Sequence, residues 1–324
     1  MTRNSFLIAG AFAAAAALTL TSLTAADYKA PRTVWGEPDL SGVWSSTAEL
    51  GVPFERSATY GDRQFLTDDE FNQRLKQTAR QIESDNEEFN VETADTANAG
   101  AVGSATSPPP HWLERSETSR RTSSVVDPPD GRVPPMTPEG QQRVRATPLA
   151  LGNGPFDGPE QMSSWVRCIG RGIPSAVFPT VYNANTRVIQ GPGYVGITYE
   201  MIHDTRIIPT DGRSHVRSGI KQLFGDSKAH WDGDTLVIDV TNFTGRLPYR
   251  GSSEALHLIE KYRRIDKDTV RYEVTVDDPH TWTKPWTAAL DLRRQPSGMF
   301  EYACHEGNYS MLNILTGSRA ADKR

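Results

Sequence analysis

Val195, Ile197, Tyr199 and Met201 fall on one side of residues 194–201, with Gly196, Thr198 and Glu200 on the other, the two-residue period of a half-buried strand. Comparable runs occupy 187–190, 205–209, 235–243, 255–265, 269–276, 286–293 and 299–304. Turn formers stand between them: Asp211-Gly212, Asp232-Gly233-Asp234, Asp266-Lys267-Asp268 and Ser297-Gly298. Strands of this length at near-regular spacing, with no helical period between them, predict an antiparallel meander closed as a lipocalin-like, up-and-down β-barrel. The run Gly191-Pro-Gly-Tyr-Val-Gly196 spells a dinucleotide-binding pattern, but it opens a strand where that motif needs a helix, and so reads as a hairpin turn.

Upstream of Cys168 the texture differs. Trp35-Gly-Glu-Pro-Asp-Leu-Ser-Gly-Val-Trp44 alternates turn formers with apolar anchors in the manner of the first strand of a barrel or sandwich, with Trp44 in the core. Thr67-Asp-Asp-Glu70 is a capping box opening a surface helix to about Ser84, with Phe71, Leu75 and Ile82 on its buried stripe and Arg74, Lys76 and Glu83 off it. Residues 85–110 are acidic, then small and polar, then proline-rich, a composition that predicts a disordered excursion. Residues 123–135 read as an edge strand, a turn at Asp130-Gly131 and an extended return, and 148–165 continue an irregular wrapping arm. Arg213, Arg217 and Lys221 are expected on the solvated face of a short helix ending by Gly225.

The chain has 324 residues and a net charge of -5, with 35 Lys+Arg against 40 Asp+Glu and no basic block, so nucleic acid is not an expected partner. Residues 1–26 have the charged start, apolar middle and small-residue end of a secretory signal peptide, with residues 27–324 as a single domain after cleavage. No other apolar run is long enough to span a bilayer, which predicts a periplasmic or secreted protein. In that oxidising setting Cys168 and Cys304 are disulfide candidates, and two buried free thiols are the competing reading.

Four phrases carry a resemblance: Arg167-Cys-Ile-Gly-Arg-Gly-Ile-Pro174, Tyr199-Glu-Met-Ile-His-Asp-Thr-Arg-Ile-Ile-Pro209, His230-Trp-Asp-Gly-Asp-Thr-Leu-Val237 and Tyr302-Ala-Cys-His-Glu-Gly-Asn-Tyr309. With Pro38–Trp44 and Val126-Asp-Pro-Pro-Asp-Gly-Arg132, these make the chain similar to a large family of exported bacterial proteins, most of them uncharacterised. The resemblance covers nearly all of the chain after the leader except 85–110, and it implies export without naming an activity. The likeness to lipocalins is one of architecture.

Strand parity selects the candidate chemistry. Continued past Tyr199, the inward face reaches His203; continued past Val276, it reaches Asp278; continued through Tyr302 and Cys304, it reaches Glu306, with His305 opposite unless a bulge near Gly307 re-aims it. His203, Asp278, Glu306 and His305 are therefore the catalytic candidates, and Tyr199, His280, Trp282, Trp286 and Tyr302 the residues expected to hold substrate. A carboxyl kept protonated by burial beside an imidazole base is a general acid–base pair. The plainer readings are a hydrogen-bond node at His203, a turn cap at Asp278, a corner locked beside a disulfide at His305 and Glu306, and core packing at Trp282 and Trp286.

No Gly-x-Ser-x-Gly elbow and no His-Glu-x-x-His spacing is present, and Asp232-Gly-Asp234 is too short for a calcium loop. The expectation is a cofactor-independent enzyme with no metal, a lyase, hydratase, isomerase or hydrolase on a small apolar or aromatic molecule held in the barrel. A non-catalytic carrier of the same ligands is the alternative. A purely structural role comes third.

Overall fold

The computed structural model describes residues 28–87, 113–114, 118–146 and 156–321. The leader 1–26 lies outside them, as do all but the first three residues of 85–110 and residues 148–155 of the wrapping arm. Ten strands form one antiparallel sheet: β1 Gly42–Ser45, β2 Val125–Asp127, β3 Asn185–Gly191, β4 Tyr194–Tyr199, β5 Thr205–Pro209, β6 Asp226–Asp232, β7 Thr235–Thr241, β8 His257–Asp266, β9 Thr269–Asp277 and β10 Trp286–Arg294. Nine of them follow the order β5-β4-β3-β1-β10-β9-β8-β7-β6, and β2 pairs with β10 beside that path. The two ends, β5 and β6, are neighbours in the chain and meet without a backbone ladder. The result is a nearly closed up-and-down barrel, the architecture that the alternation predicts.

The same alternation fills the interior. Val195, Ile197 and Tyr199 of β4, Leu236, Ile238 and Val240 of β7, and Val270, Tyr272, Val274 and Val276 of β9 are all buried. Among them lies an ion pair, Arg206 to Glu260 at 2.7 Å, with Arg206 also donating to the Tyr199 hydroxyl at 2.9 Å and the Tyr272 hydroxyl donating to Glu260 at 3.0 Å. Arg206 donates across the open seam as well, to Ser227 Oγ of β6 at 2.8 Å. Removing one partner of so buried a pair leaves the other charge uncompensated, at a cost of about 3–5 kcal/mol. Burial pushes the Tyr199 phenol up to about 12, so the group is a fixed hydrogen-bonding element of the interior.

Among the described residues three helices lie outside the sheet: α1 Asp68–Glu87, α2 Pro138–Ala146 and α3 Tyr309–Ala321. The capping box of α1 is present, with Thr67 N–H donating to Glu70 at 2.8 Å and Glu70 N–H to Thr67 Oγ1 at 3.4 Å. Phe71 and Ile82 are half-buried as expected, but the middle of the stripe differs. Arg74 is half-buried and donates to the carbonyls of Ser119 and Arg121 at 2.8 and 2.7 Å, while Leu75 is exposed. A long polar side chain reaching two strand-like carbonyls outweighs one leucine on that face.

Four other differences matter. Residues 299–304 form no strand; they are an irregular segment leading into α3, and Phe300 is 70% exposed. No helix occurs between β5 and β6, so Arg213, Arg217 and Lys221 stand on an irregular crossover. Strand β6 escapes detection because it is polar and does not alternate, but its seven residues pair throughout with β7. Helix α2 escapes it too; Gly140 lets it press onto the turn after β9, where a Cβ would meet the Thr281 carbonyl at 2.7 Å.

Candidate functional site

Two corners of the barrel carry the residues that sequence parity selects. At the first, β9 runs into Asp278, which is buried as the alternation requires. Its carboxylate accepts four hydrogen bonds: from Ser253 N–H at 2.6 Å, Ser253 Oγ at 2.9 Å, Thr281 Oγ1 at 2.7 Å and His280 N–H at 3.1 Å. Such a group ties two loops together. His280 is exposed, with Nδ1 3.2 Å from Glu139 on α2. Trp282 and Trp286 are buried and meet edge to face at 5.6 Å, and Trp286 continues the cluster to Phe54 and Tyr249. The irregular arm seals this end through a bridge between Met136 and Trp282.

At the second corner the parity argument ends with β4. After Tyr199 the backbone turns sharply, Ile202 and His203 adopting left-handed φ of 66° and 48°. A left-handed isoleucine is costly and persists only where its surroundings hold it. Here the His203 N–H donates to the Glu200 carbonyl at 3.1 Å and the Tyr199 N–H to the Asp204 carbonyl at 2.9 Å, while Ile202 is buried. The turn throws His203 out to an exposed position instead of into the barrel. Tyr199 alone of this group points inward, and its hydroxyl is already engaged by Arg206.

A disulfide fixes what lies over this turn. Cys168 and Cys304 are bonded, with S–S 2.10 Å and Cα–Cα 5.7 Å. Cys168 is itself left-handed, at φ 54°, at the end of a turn closed by Cys168 N–H to the Trp165 carbonyl at 2.9 Å. The bond brings in the segment from Tyr302 to Asn308, whose side-chain amide donates to the Val166 carbonyl at 3.1 Å, and the buried Glu200 accepts from Phe300 N–H at 2.7 Å. His305 then lies 6.5 Å from His203, ring centre to ring centre. Glu306 is exposed and Tyr302 half-buried. Three of the four phrases quoted above thus converge here, although they are far apart in the chain.

The residue that this corner prepares is Asp204. Its Oδ2 is buried and has no hydrogen-bond partner. That oxygen lies against Gly170, where a Cβ would meet it at 3.1 Å and would also meet Phe224 Cζ at 2.9 Å and Leu247 Cδ1 at 3.3 Å. Burial pushes the carboxyl up to about 7, opposed by the hydrogen bond from the Arg171 backbone N–H. Asp204 Oδ2 therefore shares the space beside Gly170 with the apolar Phe224 and Leu247, one residue from an exposed imidazole. Sequence reasoning passes over it because its side chain falls at a strand boundary, and only the left-handed pair before it decides its direction. The sequence links only two of these phrases, through Cys168 and Cys304, and leaves the one that carries Asp204 unconnected to them.

Of His203, His230, His280 and His305, His203 and His305 approach one another, while His230 and His280 are exposed on other parts of the barrel. Among the described residues no group of three His, Cys, Asp or Glu side chains is placed to hold a metal ion, and no helix is long and apolar enough to cross a membrane.

No protein-family model matches this chain, and no curated protein does. A solved structure similar to it in part is an abundant heat soluble (SAHS) protein from Ramazzottius varieornatus, at 10% identity over 34% of this chain and 70% of that one, with a TM-score of 0.24. So slight a likeness carries no argument about what this protein does.

Proposed function

We propose that this protein is an exported acid–base enzyme acting on a small apolar or aromatic molecule, with its reacting centre at the disulfide-locked corner beside the barrel. The observation that carries the reading is the Asp204 carboxyl, raised to about 7 with a buried oxygen that no protein group occupies. A carboxyl in that range is near the optimum for both giving and taking a proton at neutral pH. Asp204 is the acid–base residue, and His203 and His305 stand beside it to relay the proton to solvent. The reaction class that needs only this is a lyase, hydratase or isomerase step, in which a proton leaves one atom of the substrate and returns to another or to water.

The reading moves the chemistry away from the barrel interior. The inward positions that would line a lipocalin-type ligand are occupied by Tyr199, Arg206, Glu260, Tyr262 and Tyr272, all buried. Asp278 becomes a structural cap, Glu306 a solvent-facing neighbour of the disulfide, and Trp282 and Trp286 part of the core. The disulfide at this corner fits the oxidising compartment of an exported protein.

The test is a thermal-shift screen of the purified protein against small aromatic, terpenoid and lipid-like compounds, with mass analysis of every stabilising compound. A compound that is chemically altered gives the substrate. Its turnover is expected to follow a group titrating near 7 and to fall roughly 100- to 10,000-fold in Asp204→Asn. Stabilising compounds recovered unaltered would make the protein a carrier, and turnover untouched by Asp204→Asn would remove this mechanism.

A further inference from the structure

A second feature adjoins this corner. The segment from Met162 to Arg171, the end of α2 and the turn Gly245 to Pro248 enclose a cleft of about 400 Å³. Four arginines line it, Arg143, Arg167, Arg171 and Arg246, against one carboxylate, Glu160. That local excess of positive charge belongs to a protein whose net charge is -5. We infer that this cleft binds a small oxyanion, a carboxylate or phosphate carried on an apolar body.

The arginines differ in what they already do. Arg143 is engaged: it donates to the carbonyls of Gly251 and His280 at 3.0 and 2.6 Å and to Thr281 Oγ1 at 2.7 Å, which pins α2 to the Asp278 corner. Among the described residues Arg167, Arg171 and Arg246 form no ion pair, and Glu160 forms none with them. Arg171 is the telling one. It is half-buried, with its guanidinium 5.9 Å from the centre of the Trp165 ring and the phenols of Tyr182 and Tyr302 nearby, and desolvation lowers its pKa. Cationic side chains removed from water are ordinarily paired. A guanidinium without a counter-charge is a preformed half of a bidentate contact, and a planar oxyanion is the other half.

The rest of the lining sets the body of the ligand. Met162 and Leu247 are buried, and with Ala146 and Pro248 they give the cleft an apolar wall. Its volume lies within the range of small-molecule sites, about 300–1,000 Å³. Preorganisation comes from the backbone: Arg167 and Arg171 flank Cys168, whose disulfide and turn hydrogen bonds fix their spacing. The cleft also touches the Asp204 niche without being part of it. Leu247 contributes to both, and Arg171 gives its side chain to the cleft and its backbone N–H to Asp204.

Equilibrium binding tests this independently of the acid–base reading. Calorimetric titration of the purified protein with cinnamate, octanoate and inorganic phosphate, and with neutral cinnamamide as control, is expected to show binding of at least one anion and none of cinnamamide. Binding should weaken by roughly ten-fold or more in Arg167→Gln and in Arg171→Gln, and should weaken with added salt. Arg246→Gln, at an exposed position, should weaken it less. Preference for cinnamate or octanoate assigns an apolar acid; preference for phosphate assigns a phosphate ester. Asp204→Asn should still bind, so lost turnover with retained binding keeps this inference whatever becomes of the acid–base mechanism. No binding by any of the three anions, equal binding of cinnamamide, or unchanged affinity in all three arginine variants would overturn it.

Discussion

Asp278 and Asp204 occupy matching places, each in the turn that follows an inward-facing strand, and their surroundings lead to opposite ends. Asp278 is buried under four donors from two loops. Asp204 is less buried, yet one of its oxygens has no donor at all and faces Gly170, Phe224 and Leu247. Four donors satisfy the Asp278 carboxylate in place of water, whereas burial raises the Asp204 carboxyl at an oxygen that no donor reaches. The two corners are also fastened differently, the first by hydrogen bonds and aromatic packing, the second by a covalent bond over a left-handed turn.

That difference in fastening gives the largest expected effect. The bond between Cys168 and Cys304 closes a loop with a sequence separation of 136, and restricting so long a loop in the unfolded chain is worth up to about 5 kcal/mol on the entropic account. The paired substitution Cys168→Ser with Cys304→Ser should lower stability toward urea by about 3–5 kcal/mol. It should also raise hydrogen exchange at residues 199–205 while leaving 277–282 protected. Equal loosening of both corners would mean that the bond holds the whole barrel and not this site.

Next in size is Asp278→Ala, which leaves two backbone N–H groups and two hydroxyls without their acceptor at a buried position. The expected cost in urea denaturation is about 2–4 kcal/mol. Asp204→Ala has no such donors to strand beyond the Arg171 N–H and should cost far less. If the two variants were equally destabilised, the distinction between a cap and a poised acid would fail.

The barrel was legible because alternation is a direct record of which face is buried. In Val270, Tyr272, Val274 and Val276 it even places Asp278 correctly at the buried end. Parity says nothing once a strand stops, and nothing in Glu200-Met-Ile-His203 announces that Ile202 and His203 turn left-handed; a β-branched residue is among the least expected there. The same blindness produced a strand at 299–304, where Phe300, Tyr302 and Cys304 alternate but no neighbouring strand pairs with them. The Cys168–Cys304 pairing could be read from compartment and count. The arginine cleft could not, since Arg143, Arg167 and Arg246 come from three separate segments and only packing brings them together.

The smallest effect is the most discriminating, because its sign depends on pH. The Asp204 carboxyl stands at about 7 in the folded chain against an ordinary value near 3.8, so between those values the folded form keeps a proton that the unfolded form has released. Stability contributed by this group is therefore full below about pH 4, falls as pH rises through that window, and levels off above about 7. Asp204→Asn removes the slope. Because the side chain is partly open to solvent, the full linkage value must be reduced, which leaves an expected gain of about 1–2 kcal/mol for the variant at pH 8 relative to its position at pH 4.5. Urea denaturation of both proteins at the two pH values measures it. A variant that gains stability at pH 8 while losing turnover would show that the native carboxylate is held in an unfavourable place because chemistry needs it there. A difference between the proteins that does not change with pH would mean that Asp204 titrates like any exposed aspartate, and the corner would then have no more claim to catalysis than the capped one at Asp278.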